Sequence, residues 1–493
     1  MLLTSTSACV GTETSNAVFH NSSFQANTEK ENVPGTLVGN ETPGALTNFG
    51  KGYRFDKNGW IYIHIEGAPY ERGYQHGYLV APEIKEILRS LNYLAYWNTG
   101  KDWKFFVDAG EKMFTPRIEQ EYLEEIKGIA DGAKAAGVNV TWQEILAWNA
   151  YYELFYSWWP NEMEGKFPSE RKEKGHCSAF IATGNTTKDG DIVMAHNTWE
   201  DYELAQFSNL ILDIVPEKGH HIFMQSLPGY IYSHADFFLS DAGLMGTETA
   251  ISGLTLYDPE GIPDPLRSRK AMQYADNLDQ FAEIMIAGNN GGSADSWLVG
   301  DAKTGEIMRL ELGLKYYNVT KSKDGYFIGF NAPTDPRIRN LECSNTGYAD
   351  IRRHQGARQV RLTQLMEQYY GKIDSDVAKI ILADHYDVYL KKINPSSRTV
   401  DGHYELDTME YVSDPGGALP FQPSGTVDGL VTNSAMAENL SFWARWGNSA
   451  GMPFNASKFL EEHIQWKYLD GYLQDRPSQP WTKFGAGEQP TGP

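Results

Sequence analysis

Apolar and polar residues follow two periods along the first third of the chain. The segment "GWIYIHIEG", residues 59–67, has an apolar side chain at every second position, which predicts a strand. Three segments then have apolar residues three and four positions apart, which predicts amphipathic helices: 69–97, which is interrupted near Pro82, 116–137 and 141–159. Thr141 and Glu144 have the spacing of a capping box, so we expect the third helix to begin there.

The pattern changes at Cys177. Short apolar runs bounded by turn residues predict strands at 177–183, 191–196, 208–215 and 220–226. Helical periodicity returns at 355–371, 375–384 and 456–470. Helices first, strands in the middle and helices again are typical of an α+β fold and not of alternating βαβ units.

The composition divides the chain into four parts. Residues 1–48 are rich in Ser, Thr, Asn and Gly, and we expect them to be disordered. Residues 49–176 form a helical N-terminal chain that ends in a charged loop, 160–176, which we expect to be exposed and cleavable. Residues 177–475 form the third and longest part, and the Pro- and Gly-rich residues 476–493 form a loose tail. The length of 493 residues favours two or three domains.

The charge and hydropathy exclude some classes of function. The formal net charge is −21, which argues against binding to nucleic acid or to anionic membrane surfaces. Apolar runs are too short for a transmembrane segment. The charge does not identify a substrate.

The chain has three cysteines, Cys9, Cys177 and Cys343, which are too few for a disulfide framework. The segment around Cys9 leaves the localisation open. It is either a disordered tail of a soluble protein, or the end of a truncated leader in which Cys9 is the lipid anchor of an extracytoplasmic protein.

Cys177 stands at the start of a predicted hairpin. The strand "CSAFIAT" is followed by turn residues, with Asp189-Gly190 as a strong hairpin signal, and then by the strand "IVMAH". A turn centred anywhere between residues 186 and 190 places Cys177 opposite or beside "HNTWEDY". His196 and Trp199 are therefore expected to lie near the thiol.

A thiol needs a base or a lowered pKa to attack a carbonyl group. An adjacent His is one source. A cut between His176 and Cys177 supplies another, because the free α-amine that it creates has a pKa of about 7.7–8.0 and can serve as general base. From the spacing alone, the alternative that Cys177 is an ordinary buried thiol at the head of a core strand stays open.

The block "GHCSAF" followed by "AHNTWEDY" resembles the phospholipase B-like proteins and, more distantly, the acyltransferase family that includes isopenicillin-N acyltransferase. Both belong to the N-terminal-nucleophile (Ntn) hydrolases. The resemblance continues in "GAPYERGYQHGYLVAPEI", "GLMGTETAI", "NNGGSADSWLVGD" and "GYADIRRHQGAR", and it covers roughly residues 52–475.

The resemblance implies an αββα sandwich of two antiparallel sheets between helical layers, and a nucleophile, Cys177, that self-cleavage of the His176–Cys177 bond releases. His196, Trp199 and Thr249 match active-site positions of the family. No cofactor and no metal are implied, and the two self-cleaved chains are expected to stay associated.

The oxyanion hole and the substrate-binding residues are expected from the same resemblance. Asp295 falls where relatives carry Asn, and an ionised Asp would repel the oxyanion. Either Asp295 is protonated or another donor serves, with Asn290 as the candidate. Arg352 and Arg353 match an Arg pair that could hold an anionic end of the substrate, and a solvated helix start is the alternative for this pair.

Rival interpretations have less support in the sequence. "GNSAG", residues 447–451, fits the pattern of an α/β-hydrolase nucleophile at Ser449. No clear strand precedes it, however, and the only downstream histidine, His463, follows too closely to leave room for the acid member of a triad. His220 and His221 are adjacent, so on a strand they point to opposite faces and do not form a metal motif.

With this resemblance, the sequence predicts an Ntn thiol hydrolase, phospholipase B-like, with residues 177–475 as its catalytic region. It would cleave acyl amide or acyl ester bonds of a small-molecule substrate, a lipid or an N-acyl compound, through a thioester at Cys177. An acyltransferase that uses the same thioester is one alternative. A binding protein that kept the fold and lost activity is the other.

Overall fold

Two β-sheets form the centre of the protein. The computed structural model describes residues 44–490 apart from 164–176, 234, 236, 255, 345 and 411–417. In this part of the chain strands β1–β18 are, in order, Thr47–Phe49, Gly52–Lys57, Trp60–Gly67, Ser178–Gly184, Gly190–Asp201, Leu210–Pro216, Ile222–Ser226, Phe238–Ser240, Leu244–Ala250, Asp295–Asp301, Glu306–Leu312, Tyr317–Ser322, Gly325–Gly329, Tyr386–Asp387, Lys392–Ile393, Ser424–Asn433, Ser441–Trp446 and Thr482–Gly485. The larger sheet has the order β1-β2-β3-β6-β7-β8-β9-β10-β11-β12, and the smaller one β13-β4-β5-β16-β17-β18.

Most helices lie before or after the central run of strands, as the periodicity predicts, although β1–β3 come before the first helix. Helices α1–α15 of the described residues are Pro69–Leu79, Ala81–Thr99, Trp103–Phe114, Gln120–Ala135, Trp142–Asn149, Tyr151–Glu153, Trp159–Met163, Tyr202–Ala205, Asp264–Tyr274, Leu278–Ile286, Pro336–Leu341, His354–Gln368, Ser375–Leu382, Ser434–Ala437 and Ala456–Glu462. A π-helical turn, Leu154–Trp158, joins α6 to α7, and 3-10 turns occupy Tyr404–Leu406 and Ile464–Leu469. The predicted α+β class is confirmed.

Local sequence signals set several helix ends. The capping box at the start of α5 is formed as predicted, with the Glu144 amide donating to Thr141 Oγ1 and Glu144 Oε2 accepting from the Thr141 amide. The predicted interruption near Pro82 lies at Val80, between α1 and α2.

Helices α1 and α4 cross at backbone contact because glycines line both surfaces. A Cβ at Gly77 would lie 1.9 Å from the Ile129 carbonyl oxygen, and one at Gly132 would lie 2.1 Å from the Tyr74 carbonyl oxygen. Any larger side chain at these positions would push the two helices apart.

The two sheets pack face to face, and helices cover them. Strands β4 and β5 pack against β9 and β10, where Gly300 lies against the Ile181 and Ile192 side chains. Helices α1, α9 and α10 pack on the larger sheet, and α12 and α13 pack on the smaller one. Buried aliphatic and aromatic side chains of the sheets and of the covering helices form one large core.

Two expectations from the sequence need correction. The larger sheet is not purely antiparallel, because β3 pairs parallel with β6. The long connection between these strands, which includes α1–α7 and the β4–β5 hairpin, permits a parallel crossover. The predicted loose tail, 476–493, contains β18, which pairs with β17 and buries Phe484. The surrounding Pro and Gly residues favour a loop, and the alternation of Thr482 and Phe484 is too short to predict a strand against them.

The predicted boundaries near residues 48 and 176 fall at or next to the limits of the described residues. Residues 1–43 and 164–176 lie outside the described residues, and these include Cys9, most of the predicted cleavable loop and His176. Residues 47–49 of the predicted disordered segment form β1. The described residues all belong to one compact unit and not to the two or three domains that the length favours. Within them no helix has the length and apolar character that a membrane crossing needs.

Candidate active site

The predicted hairpin of Cys177 is formed. Ser178 lies opposite Asn197 and Ala179 lies opposite His196 in the β4–β5 pair. Cys177 comes one residue before the first pair and so lies beside Thr198. The local signal was sufficient because the two strands are joined by a short turn, with Gly184 and Gly190 both at positive φ.

Two side chains hold the Cys177 backbone from distant parts of the chain. The Cys177 amide nitrogen donates to Asn331 Oδ1 at 3.0 Å. The Cys177 carbonyl oxygen accepts a short hydrogen bond from Arg358 Nη1, and Arg358 Nη2 donates to Asn331 Oδ1 at 2.6 Å. Asn331 itself has a φ of 64° and donates through Nδ2 to the Ala250 carbonyl at 2.7 Å. The backbone of Cys177 is therefore fixed at both its nitrogen and its oxygen.

The thiol faces a cavity of about 70 Å³ that several acidic side chains line. Cys177 is 6% exposed, and burial is the main cause that raises the pKa of its thiol well above the ordinary value, with Glu248 and Glu200 adding to it. A hydrogen bond from the Trp199 backbone and the charge of Arg358 oppose this rise and do not cancel it. The thiol is thus held in its neutral form and needs a base before it can attack.

Trp199 forms one wall of the cavity. The Arg358 guanidinium lies over its indole at 4.2 Å from a ring centroid, close enough for a cation–π interaction. Gly402 is also in contact with the ring, where a Cβ would lie 2.3 Å from the indole carbons. The indole is therefore held by a cation and by a backbone contact that only glycine permits.

His196 lies on the same strand but does not line the cavity. It is fully buried, and its Nδ1 lies 3.4 Å from Thr198 Oγ1. Asp428, which lies opposite Thr198 on β16, is close to this strand, and burial raises its pKa to about 7. Its Oδ1 accepts from the Thr198 amide at 3.3 Å.

Thr249 is on β9, opposite Ser296, and its side chain packs against Gly329. Its neighbours Glu248 and Ala250 are the residues of this strand that line the cavity. The strand therefore reaches the thiol through the positions on either side of Thr249.

The segment with Asn290 and Asp295 reaches the cavity through Gly292 and Ser293. Asn290 Nδ2 donates a short hydrogen bond to Glu153 Oε1, and Asn290 Oδ1 accepts from the Gly292 amide at 2.8 Å. Asp295 is buried at the start of β10 and accepts from Ser293 Oγ at 3.0 Å. Neither side chain that the sequence proposed for the oxyanion site lines the cavity.

Arg352 and Arg353 lie outside the cavity. Arg352 has a 46% exposed side chain that pairs with Asp350, at 2.9 and 2.7 Å from the two carboxylate oxygens. Arg353 is buried at the start of α12, beside Gly347. The arginine that reaches Cys177 is Arg358, more than one helical turn further along α12.

Glu153 is a cavity residue that sequence reasoning missed. It stands just before the π-helical turn, and π-turns are frequent at functional sites. Burial raises its pKa, while hydrogen bonds from Tyr257, the Asp264 amide and Asn290 oppose the rise. The helical turn at 151–158 carried no sequence signal for this role, since its apolar residues only indicate core packing.

The rival nucleophile Ser449 is a structural residue. Its hydroxyl is buried and donates to Asn197 Oδ1 at 2.6 Å. His463 is stacked on the Phe421 ring at 4.3 Å. His220 and His221 come directly before β7 and have different partners, since His220 binds Asp241 and Asp276 while His221 binds Asp213.

Comparison with known proteins shows the family of this chain. The model of the Phospholipase B family matches residues 120–470, and the chain belongs to this family. It is 30% identical over 268 residues to an uncharacterized protein of Archaeoglobus fulgidus, covering 51% of this chain and 43% of the relative.

Two animal relatives are more distant. Phospholipase B-like 2 of Homo sapiens is 23% identical over 352 residues, with 60% of this chain and 58% of the relative covered. Phospholipase B-like 1 of Caenorhabditis elegans is 23% identical over 309 residues, with coverages of 56% and 53%. The chain thus spans about half the length of these relatives, whose names state a likeness and not a measured reaction.

Proposed function

We propose that this protein is a cysteine Ntn hydrolase that cleaves acyl amide or acyl ester bonds, with Cys177 as nucleophile. The observation that carries the proposal is the fixation of Cys177 at both backbone ends beside a cavity, by Asn331 at the nitrogen and Arg358 at the oxygen. Every buried amide needs a hydrogen-bond partner, but here the partner is a side-chain oxygen that could also accept from a free α-amine. A residue whose nitrogen must become the catalytic base needs this contact.

The layered packing supports the same proposal. Helices cover the outer faces of a pair of stacked sheets, and the thiol lies one residue before strand β4 of the smaller sheet. We infer that this is the αββα sandwich of the Ntn hydrolases, with one parallel strand pair in the larger sheet.

Activation requires a cut between His176 and Cys177. The free α-amine of Cys177 would stay within reach of Asn331 Oδ1, which accepts from the same nitrogen before the cut. An amine of pKa about 7.7–8.0 takes the proton of a thiol far better than bulk water does.

The reaction then follows from the positions of these groups. The α-amine takes the thiol proton while the sulfur attacks the acyl carbon, so that a neutral thiol with a raised pKa is deprotonated only as it reacts. The leaving amine or alcohol receives the proton and departs, and a thioester remains. Water, activated by the same amine, hydrolyses it, and an acceptor amine in place of water would give acyl transfer.

His196 and Thr249 act in this proposal through packing. Both are fully buried on strands that carry cavity residues, Thr198 and Glu248 respectively. They position these strands against each other and do not touch the substrate.

Charge in the cavity restricts the substrate. Its lining includes four carboxyl groups, those of Glu153, Glu200, Glu248 and Asp264. An uncharged or cationic leaving group fits such a lining better than an anionic one. We therefore infer a small acyl compound whose charge, if negative, lies away from the sulfur.

The two chains would remain associated after the cut. The N-terminal part supplies β1–β3 of the larger sheet and the cavity residues Asn149 and Glu153. Asn149 also donates to the Gly229 carbonyl at 2.8 Å and accepts from the Ile231 amide at 2.9 Å, across the cut.

Intact mass of the purified protein tests the proposal. We expect a chain that begins at Cys177, together with hydrolysis of an N-acyl amide, and neither in Cys177→Ala. Cys343→Ala, the matched control, should be processed and active. An intact, uncut wild-type chain that nevertheless hydrolyses the amide would refute the Ntn mechanism, and a cut but inactive wild type would favour the binding-protein alternative.

A further inference from the structure

Three side chains outside the thiol cavity converge on one point. His385 Nε2 and His403 Nε2 lie 3.1 Å apart, and Asp401 Oδ2 lies 3.3 Å from the first and 3.8 Å from the second. One ligand atom from each residue is thus close enough to the other two for all three to coordinate a single ion.

These separations fit a tetrahedral metal ion. Zn²⁺ binds imidazole nitrogen and carboxylate oxygen at about 2.0–2.2 Å, which places ligand atoms roughly 3.3–3.5 Å apart at tetrahedral angles. The three observed distances lie on both sides of that value. Two imidazoles and one carboxylate are also a donor set that zinc and its neighbours in the first transition row accept.

The surroundings orient the ligand atoms toward each other. His403 Nδ1 lies 2.8 Å from Glu405 Oε1, so that an Nδ1–H donor to Glu405 leaves the Nε2 lone pair directed at the centre of the group. The Asp401 carboxylate accepts from the Ser449 amide at 3.3 Å and from the Ala450 amide at 2.9 Å, which fixes its plane. Carboxylate-bound histidines of this kind are typical of metal sites.

A second His–Asp–His group shows what a purely hydrogen-bonded arrangement looks like. His64 Nδ1 binds Asp213 Oδ2 at 2.7 Å, and His221 Nε2 binds Asp213 Oδ1 at 2.5 Å. Each imidazole there has its own carboxylate oxygen. In the group of His385 and His403, by contrast, the two nitrogens and one oxygen share a single centre.

We propose that His385, Asp401 and His403 bind a divalent transition-metal cation of the zinc type, with a fourth position for water. Asp401 and His403 are buried, whereas the His385 side chain is 13% exposed and gives the ion a route of entry. The site is separate from Cys177 and needs no part of the thiol chemistry.

The ion would brace the wall of the thiol cavity. Gly402, which lies between two of the ligands, is in contact with the indole of Trp199, and the Tyr404 ring is 6.0 Å from the same indole. A metal that links residues 385, 401 and 403 ties this contact to a second segment of chain. Its role is therefore structural.

The test uses chelator-treated full-length protein and Zn²⁺ alone. Calorimetric titration should give one ion per chain, and Zn²⁺ should raise the melting temperature. His385→Ala and His403→Ala should each weaken binding by more than tenfold, and Glu405→Gln by roughly 10–100-fold. His221→Ala, a matched partly exposed histidine on a buried carboxylate, should bind as the wild type does.

Two further measurements keep the test decisive. Cys177→Ala should retain the ion, and Co²⁺ should give the visible absorption of a tetrahedral site without a thiolate charge-transfer band. His385→Ala decides the question if His403→Ala fails to fold, because His385 lies at the exposed edge. The proposal is overturned by a wild type that binds less than one ion, by equal binding in His385→Ala, or by loss of binding in Cys177→Ala.

Discussion

Asn331 Oδ1 lies 3.0 Å from the backbone nitrogen of Cys177, although 154 positions separate the two residues in the chain. The left-handed backbone of Asn331, with a φ of 64°, aims the amide at this nitrogen. Asn331 therefore positions the nitrogen of Cys177, although an amide side chain is neither a nucleophile nor a base.

We expect Asn331→Gly to reduce acyl hydrolysis on the order of 10²-fold, because it removes the amide that orients the nitrogen and leaves the positive φ unstrained. Single-turnover hydrolysis and intact mass would separate the effect on catalysis from that on processing. A variant as active as the wild type would show that the contact is dispensable.

Arg358→Lys should impair the site, whereas Arg352→Lys should not. Arg358 donates to the Cys177 carbonyl, to Asn331 and to His354 Nδ1, and an ammonium group cannot reproduce this fork. We expect at least a tenfold loss of kcat/KM, because a buried group that loses its hydrogen-bond partner costs about 1–3 kcal/mol. Equal losses in both variants would instead place the substrate at the exposed arginine.

Asp295→Asn should change the hydrolysis rate by no more than a few-fold between pH 5 and 8. The sequence placed Asp295 at the oxyanion, but Ser293 and Gly292 line the cavity in its place. Steady-state rates of both proteins on the same acyl amide check this. A change of 10²–10³-fold, the range for one oxyanion donor, would return Asp295 to the site.

Glu125→Gln should destabilise the fold by about 3–5 kcal/mol at pH 7, since it leaves Arg72 and Arg269 buried without their shared carboxylate. Burial, the largest single effect, raises the Glu125 pKa, but Arg269 and Arg72 together hold it below its ordinary value of 4.5. Glu124→Gln, on the exposed face of the same helix, is the control.

The sign of the pH dependence follows from that lowered pKa. The stabilisation from Glu125 is complete above pH 4.5 and is lost as the pH falls through the folded-state pKa. Urea unfolding should therefore show the gap between wild type and Glu125→Gln closing below pH 4.5. A gap that stays constant with pH would mean that the ion pairs do not carry the effect.

In protein whose His176–Cys177 bond is still uncut, alkylation at pH 8 should modify Cys343 before Cys177. Burial raises the pKa of the Cys177 thiol, so little thiolate is present, while Cys343 is half-buried beside an open surface depression. Peptide mapping after iodoacetamide treatment measures the order. The reverse order would indicate that the thiol is already activated before any cut.

The sequence located what is close along the chain and missed what is distant. The β4–β5 hairpin and the capping box at Thr141 depend on a few neighbouring residues, and both are formed as predicted. Asn331 and Arg358 lie 154 and 181 positions from Cys177, and only the folded chain brings them there.

Other site residues were missed because the sequence pattern does not show where a residue lies relative to a helix or a loop. Arg352 and Arg358 belong to one quoted segment, yet the first precedes α12 and the second faces the thiol from within it. His385, Asp401 and His403 have no motif spacing, because the short strands β14 and β15 and loops lie between the first and the other two. Such groups become visible only when the distances are known.

The parallel pairing of β3 with β6 has a consequence for the kinetics of assembly. A cut before Cys177 would turn this pairing into one between two polypeptides, so that recovery from the denatured state would become second order and depend on protein concentration. The uncut Cys177→Ala chain would refold in a first-order reaction whose rate is independent of concentration. Self-processing would thereby make loss of the native state close to irreversible in dilute solution, while the folded molecule stays as it was.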